Sequence, residues 1–305
     1  MKAAAFIFPG QGAQKPGMGK DIYEAYPDAR EIFDAAGKAA GIDVKSLCFE
    51  GSEDDLKKTE NTQPCIVTVS VAAWRVLIEK GFTVSAAAGH SLGEFAALVA
   101  GGYLSFADAV KAVRERGLIM AGADKEGKGA MAAVLGLSSA DVAAICDETP
   151  GVVVANYNDP GQTVISGERA AVEAAGAKAK DRGAKRVVPL AVSGAFHSPL
   201  MTEASKDFAS VLEKMTFTEG KAPVFSNVTA KVHVFAEIRT RMAEQMYSSV
   251  RWVESMAALA AMKPAMCIEA GPNKVLAGLM KKCAADVAVQ NAGTAAEIEA
   301  VASQG

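Results

Sequence analysis

Ala86-Ala87-Ala88-Gly89-His90-Ser91-Leu92-Gly93-Glu94-Phe95 contains Gly-x-Ser-x-Gly between two unlike patterns. Upstream lies a short apolar run; downstream, apolar residues recur at Leu92, Phe95, Ala96, Val99 and Ala100, the spacing of a helix face. The stretch predicts a strand, a sharp turn and a helix. In such a nucleophile elbow the glycines let the backbone turn without a Cβ clash, and the serine hydroxyl projects from the end of a sheet over a helix N-terminus. The N–H groups there are placed to hold a developing oxyanion.

At 305 residues, 50% of them apolar, the chain is long enough for a large core and more than one domain. A formal net charge of -3 gives no general basic field for nucleic acid or an anionic membrane, although a local patch would still serve an acidic partner. The apolar run at residues 3–8 is too short for a signal peptide and no run reaches transmembrane length, so the cytoplasm is the expected location. Cys48, Cys65, Cys146, Cys267 and Cys283 are scattered and never form a C-x-x-C pair, which reads as buried thiols.

In chain order, residues 3–8 predict a strand running into Pro9-Gly10-Gln11-Gly12-Ala13-Gln14, a turn able to approach a ligand closely. Residues 21–41 read as helix, and Asn61-Thr62-Gln63-Pro64 as the start of a helix ending at Gly81. In residues 106–120, Ala109, Ala112, Val113, Gly117 and Met120 share one stripe, and Arg116 falls on it. An inward guanidinium needs an anionic partner, either a structural carboxylate or a substrate's. Residues 123–129 look like a linker, followed by strand 130–137, a capped helix 138–148, strands 152–157 and 163–166, helix 170–182 and strand 185–192. That βαββαβ order predicts a ferredoxin-like subdomain. Beyond it, helices alternate with short strands at 223–228, 265–270 and 287–290, which predicts an α/β body with a largely parallel sheet.

A serine hydroxyl is a weak nucleophile until a base takes its proton. Of three histidines, His90 adjoins Ser91 on the turn and should point elsewhere, and His233 sits in an undistinguished stretch. His197, in a loop after a predicted strand, is the best candidate base.

Phe8-Pro9-Gly10-Gln11-Gly12, Thr62-Gln63-Pro64, Gly89-His90-Ser91-Leu92-Gly93-Glu94, Gly194-Ala195-Phe196-His197-Ser198-Pro199 and Glu269-Ala270-Gly271-Pro272 together resemble the malonyl-CoA:acyl carrier protein transacylase family, in its order and across nearly the whole chain. The resemblance implies an α/β fold in which an α/β-hydrolase-like large domain (residues 1–124 and 193–305) carries a ferredoxin-like small subdomain (residues 125–192). It implies Ser91 as acylated nucleophile, His197 as base and later acid, and the backbone carbonyl of Gln245 as the group orienting the histidine. Arg116 would clamp the malonyl carboxylate, and the N–H groups of Gln11 and Leu92 would form the oxyanion hole. Gln63, Asn156, Phe196 and His90 complete the expected acyl-site set, with Phe196 crowding any α-methyl group. Asn273 stands where glycine is usual and residues 231–237 are atypical, which bears on the carrier surface rather than the acyl site.

The implied reaction is ping-pong: malonyl-CoA acylates Ser91, CoA leaves, and the phosphopantetheine thiol of an acyl carrier protein takes the malonyl group for fatty-acid or polyketide synthesis. No metal or redox cofactor is expected, and the expected state is a monomer. A serine thioesterase or esterase on the same elbow, and a non-catalytic acyl-CoA or carrier-protein binding module, are the competing readings.

Overall fold

The structure is a computed structural model that describes residues 1–124 and 126–304. Lys125, inside the expected linker and at the expected boundary of the small subdomain, and Gly305, at the end of the large one, lie outside the described residues. The strands are β1 (Lys2–Phe8), β2 (Phe82–Gly89), β3 (Gly129–Leu135), β4 (Val152–Asp159), β5 (Gln162–Glu168), β6 (Arg186–Pro189), β7 (Val224–Phe225), β8 (Cys267–Ala270) and β9 (Val289–Ala292). They form a parallel sheet in the order β7-β2-β1-β8-β9 and a separate antiparallel sheet in the order β4-β5-β3-β6.

β1 lies in the middle of the parallel sheet and is apolar on both faces, as a strand covered by helices on each side must be. Successive side chains point to opposite faces. Ala4, Phe6 and Phe8 therefore join one core with the buried helix Thr59–Glu79, whereas Ala5 and Ile7 join another with Trp252, Met256, Leu276 and Met280. Phe8 is in register with Gly89 and Ala88 with Phe225, so the segments following β1, β2 and β7 emerge side by side at the carboxyl edge of the sheet. Open parallel sheets bind ligands at that edge.

Two expected helices differ in detail. Residues 21–41 are not one helix but Lys20–Ala25 and Pro27–Ala40, because the residue before a proline is driven out of the helical region; Tyr26 sits at φ -126°, ψ 125°. The helix expected from Asn61 begins at Thr59, ahead of the expected cap and after two short helices, Val44–Glu50 and Glu53–Lys57, and carries Pro64 inside it. Pro64 has no N–H for the carbonyl of Glu60, and that carbonyl instead accepts a hydrogen bond from Arg114 Nη1 (2.7 Å). The strand expected at 185–192 is confined to β6.

The antiparallel sheet has its own apolar layer, in which Val134, Val154 and Ile165 pack against Val142 and Ile145 of the helix Ser139–Asp147 and Val172 and Ala175 of the helix Arg169–Asp181. The antiparallel sheet is joined to the rest of the fold where Tyr157 N–H donates to Val250 O (2.9 Å) and Val250 N–H to Ala155 O (2.8 Å), Val250 itself packing in the core that contains Ala5 and Ile7. Among the described residues, no helix is long and apolar enough to cross a membrane.

The elbow depends on backbone packing. A Cβ on Gly89 would overlap the carbonyl carbon and oxygen of Gly93, and one on Gly93 would overlap the carbonyl of Phe8. Neither clash can be relieved by a rotamer change. Gly89→Ala is expected to destabilise the fold by at least about 2 kcal/mol. Gly278→Ala, in the exposed face of the helix Val275–Cys283 with open space around it, is expected to stabilise by about 0.5–1 kcal/mol. Urea unfolding midpoints of the two variants check both signs.

Candidate active site

Ser91 lies between β2 and the helix Gly93–Gly101 with φ 49°, a left-handed conformation that non-glycine residues adopt only when their surroundings enforce it. Part of that enforcement is the packing of Gly89 and Gly93. The rest comes from Asn227, just past β7, whose Oδ1 accepts from the Ser91 N–H (2.7 Å) and whose Nδ2 donates to Gly89 O (2.7 Å). Asn227 is buried and thus joins both ends of the turn.

His197 Nε2 stands 2.8 Å from Ser91 Oγ. Its Nδ1 is 2.8 Å from the carbonyl oxygen of Gln245 and 3.2 Å from that of Ser248. Both partners are acceptors, so the proton sits on Nδ1 and Nε2 offers its lone pair to the serine hydroxyl. The main-chain bond from His197 N–H to Met246 O (3.0 Å) fixes the loop, in which His197 also has a positive φ of 57°. Burial first, and the charge of Arg116 second, push the imidazole down to about 3, so the ring is neutral at ordinary pH.

Arg116 is 1% exposed and points from the helix Phe106–Gly122 into the same space. Its Nη1 donates to Gln63 Oε1 (2.9 Å), and its Nη2 to Gln245 Oε1 (2.9 Å) and Ser91 Oγ (3.2 Å). Its Nε is buried without a partner among the described residues. No carboxylate among those residues touches the guanidinium, which removes the internal ion pair left open by the sequence. Burial lowers the guanidinium to about 10, partly offset by the more distant charge of Glu94, so it remains a cation.

Ser91, His197, Arg116, Gln63 and Gln245 are thus brought into one hydrogen-bonded group. Gln11 and Leu92 flank it, because Gly10 packs against the carbonyl of His90 and Leu92 opens the elbow helix. Neither main-chain N–H donates a hydrogen bond among the described residues. Phe196 is buried beside His197. Asn156 is buried in β4 at its bridge with Val250, and no side-chain hydrogen bond joins it to the central group. His90 turns away from the serine: its ring packs on Trp252 (5.4 Å between centroids) and its Nε2 bonds Asn158 Oδ1 (2.8 Å).

Three buried neighbours were not singled out from sequence: Glu94, Asn227 and His233. Glu94 Oε1 is 2.6 Å from His233 Nε2, and its Oε2 accepts from Gln245 Nε2 (2.6 Å) and Asn227 N–H (3.1 Å). The available signal was an acid on an otherwise apolar helix. For Asn227 and His233 there was none, since only the tertiary fold brings them to the elbow.

An acyl transferase domain family model matches residues 5–301. The malonyl-CoA-acyl carrier protein transacylase of Bacillus subtilis is 46% identical over 287 residues, covering 92% of this chain and 90% of the relative. That of Escherichia coli is 45% identical, covering 92% and 93%. The crystal structure of malonyl-CoA:acyl carrier protein transacylase from Xanthomonas oryzae superposes with a TM-score of 0.95 at 40% identity, covering 99% of this chain and 98% of that one. A malonyl transacylase in complex with its type II polyketide acyl carrier protein superposes with the same TM-score of 0.95 at 38% identity over 100% of both chains. With a serine, a neutral histidine and a buried cation gathered at the carboxyl edge of the parallel sheet, and with likeness along nearly its full length, this chain belongs to the malonyl-CoA:acyl carrier protein transacylase family.

Proposed function

We propose that the chain transfers the malonyl group of malonyl-CoA to the phosphopantetheine thiol of an acyl carrier protein through a malonyl ester of Ser91. Ser91 Oγ attacks the thioester carbonyl as His197 Nε2 takes its proton, and the new oxyanion is held by the N–H groups of Gln11 and Leu92. Collapse breaks the C–S bond, and His197 returns the proton to the departing CoA sulfur. The carrier thiol then gives its proton to His197 and attacks the ester carbonyl. Breaking the C–O bond restores the Ser91 hydroxyl, so the net change is exchange of one thioester for another. These steps use His197 without a third acidic residue, the Gln245 carbonyl orienting the ring. Gln63 helps hold Arg116, Phe196 limits bulk at the acyl α-carbon and Asn156 bounds the acyl site, whereas His90, turned onto Trp252 and Asn158, does not face the acyl group.

The observation that carries this reading is the guanidinium of Arg116, buried, bonded among the described residues only to neutral oxygens and 3.2 Å from Ser91 Oγ. A cation so placed suits an acyl group with a free carboxylate, whereas a simple esterase has no use for it. We further read the parallel-sheet body, residues 1–124 and 193–305, as an α/β-hydrolase-like domain. Residues 125–192 form its ferredoxin-like insert, a reading supported by the strand order β4-β5-β3-β6.

Two outcomes follow. Arg116→Ala is expected to lower kcat/KM for malonyl-CoA by about 10²–10³-fold, the loss on removing one partner of a buried charge pair, while acetyl-CoA, with no carboxylate to strand, suffers much less. A transfer assay with both thioesters and one carrier protein reads the ratio, and an unchanged ratio contradicts the clamp. Second, because neutral His197 is the active form and its folded value lies near 3, kcat/KM for acylation should stay level as pH falls from about 7 to about 5, with the acid limb below that. A limb at about 6.5, the value of an unperturbed histidine, contradicts the assignment.

A further inference from the structure

The clamp leaves a second buried charge unassigned. Glu94 is 1% exposed, three residues past the nucleophile, and touches neither Ser91 Oγ nor Arg116. Between Glu94 and Arg116 lies a single group, the side-chain amide of Gln245. Its Nε2 donates to Glu94 Oε2 (2.6 Å) and to Ser91 O (3.1 Å), while its Oε1 accepts from Arg116 Nη2 (2.9 Å).

This amide has one satisfactory orientation. A carboxylate and a main-chain carbonyl only accept, and a guanidinium only donates. Turning the amide over would set its N–H groups against Arg116 and its oxygen against Glu94, breaking each bond and replacing it with a repulsion. Glu94, with Ser91 O and the guanidinium itself, therefore fixes which end of Gln245 faces the cation, and supplies the shortest of the three bonds. It is itself held from two further sides, by His233 Nε2 (2.6 Å) and by Asn227 N–H (3.1 Å), the latter from the residue that also grips the elbow.

The separation has a second consequence. Were Glu94 in contact with Arg116, an incoming carboxylate would have to displace it. With one amide between them, the negative charge favours the guanidinium cation at a distance and leaves its Ser91 side available.

We propose that Glu94 is a positioning residue for the malonyl clamp, acting through the Gln245 amide, with His233 and Asn227 fixing its carboxylate. This rests on the reading of Arg116 as the seat of the malonyl carboxylate. The Gln245 main-chain carbonyl that orients His197 is held separately, by the bond from Met246 N–H, in the same peptide plane, to Ala243 O (3.2 Å). Releasing the side chain should therefore disturb the clamp more than the base.

The test is steady-state transfer from malonyl-CoA and acetyl-CoA to one carrier protein by wild type, Glu94→Ala, Glu94→Gln and Arg116→Ala. Glu94→Ala should lower kcat/KM for malonyl-CoA by roughly tenfold or more, chiefly through KM, and that for acetyl-CoA by no more than about threefold. Glu94→Gln should recover most of the malonyl preference, since its amide oxygen still accepts from Gln245 and Asn227 while its nitrogen faces a His233 ring of the other tautomer. Equal losses for both thioesters, or no loss for malonyl-CoA, would overturn the proposal, as a merely structural role gives the former. Should Glu94→Ala fail to fold, Glu94→Asp, which withdraws the carboxylate by one methylene, carries the same expectation and the same contrary results. Unchanged selectivity in Arg116→Ala would sink the clamp itself; lost selectivity there with retained selectivity in Glu94→Ala would sink only the positioning role.

Discussion

A buried cation that no carboxylate of the described residues touches is the constraint around which this site is arranged. Taking a guanidinium out of water is costly unless its hydrogens are bonded and an opposite charge is near. Arg116 meets the first condition through Nη1 and Nη2, with Gln63, Gln245 and Ser91, but not at Nε, which has no partner among the described residues, and it meets the second only at a distance, through Glu94. Burial first, and this charge second, depress the pKa of His197, so the same group that would bind the acyl carboxylate helps keep the proposed base unprotonated. On our reading, the anion that completes the site arrives with the substrate.

The parallel sheet makes this arrangement possible by bringing distant parts of the chain to one edge. β1 delivers the glycine-rich loop, β2 Ser91 and β7 Asn227, while the helix Phe106–Gly122 brings Arg116 up from the side. Close backbone contact at Gly89, Gly93 and Phe8 leaves the elbow little freedom. Ser91 is accordingly held in a conformation it would rarely adopt in a free chain. Rigid placement of Ser91, His197 and Arg116, in the roles we propose for them, suits a reaction whose barrier is lowered by positioning and preorganised charge.

Much of this was legible in the sequence because it follows local rules. The change from strand to helical spacing around Ser91 located the elbow, and the stripe through Ala109, Val113 and Met120 turned Arg116 inward. The second sheet was readable from turn residues and from Ser138, whose hydroxyl caps the helix Ser139–Asp147. Pro64 misled, because the carbonyl it leaves free is bonded by Arg114 from another helix. Asn227 and His233 were hidden for the same reason: they meet Glu94 only across 133 and 139 residues of chain. Which anion Arg116 awaited was also not decidable from its own helix. The absence of a contacting carboxylate among the described residues is a property of the assembled fold.

The most direct measurement is intact-mass and peptide analysis of the protein after brief exposure to malonyl-CoA. We expect one malonyl group per chain, on the peptide containing Ser91, persistent in buffer and discharged when a phosphopantetheine-bearing carrier protein is added. Label on another residue, or release as free malonate at the same rate without the carrier, would contradict the account.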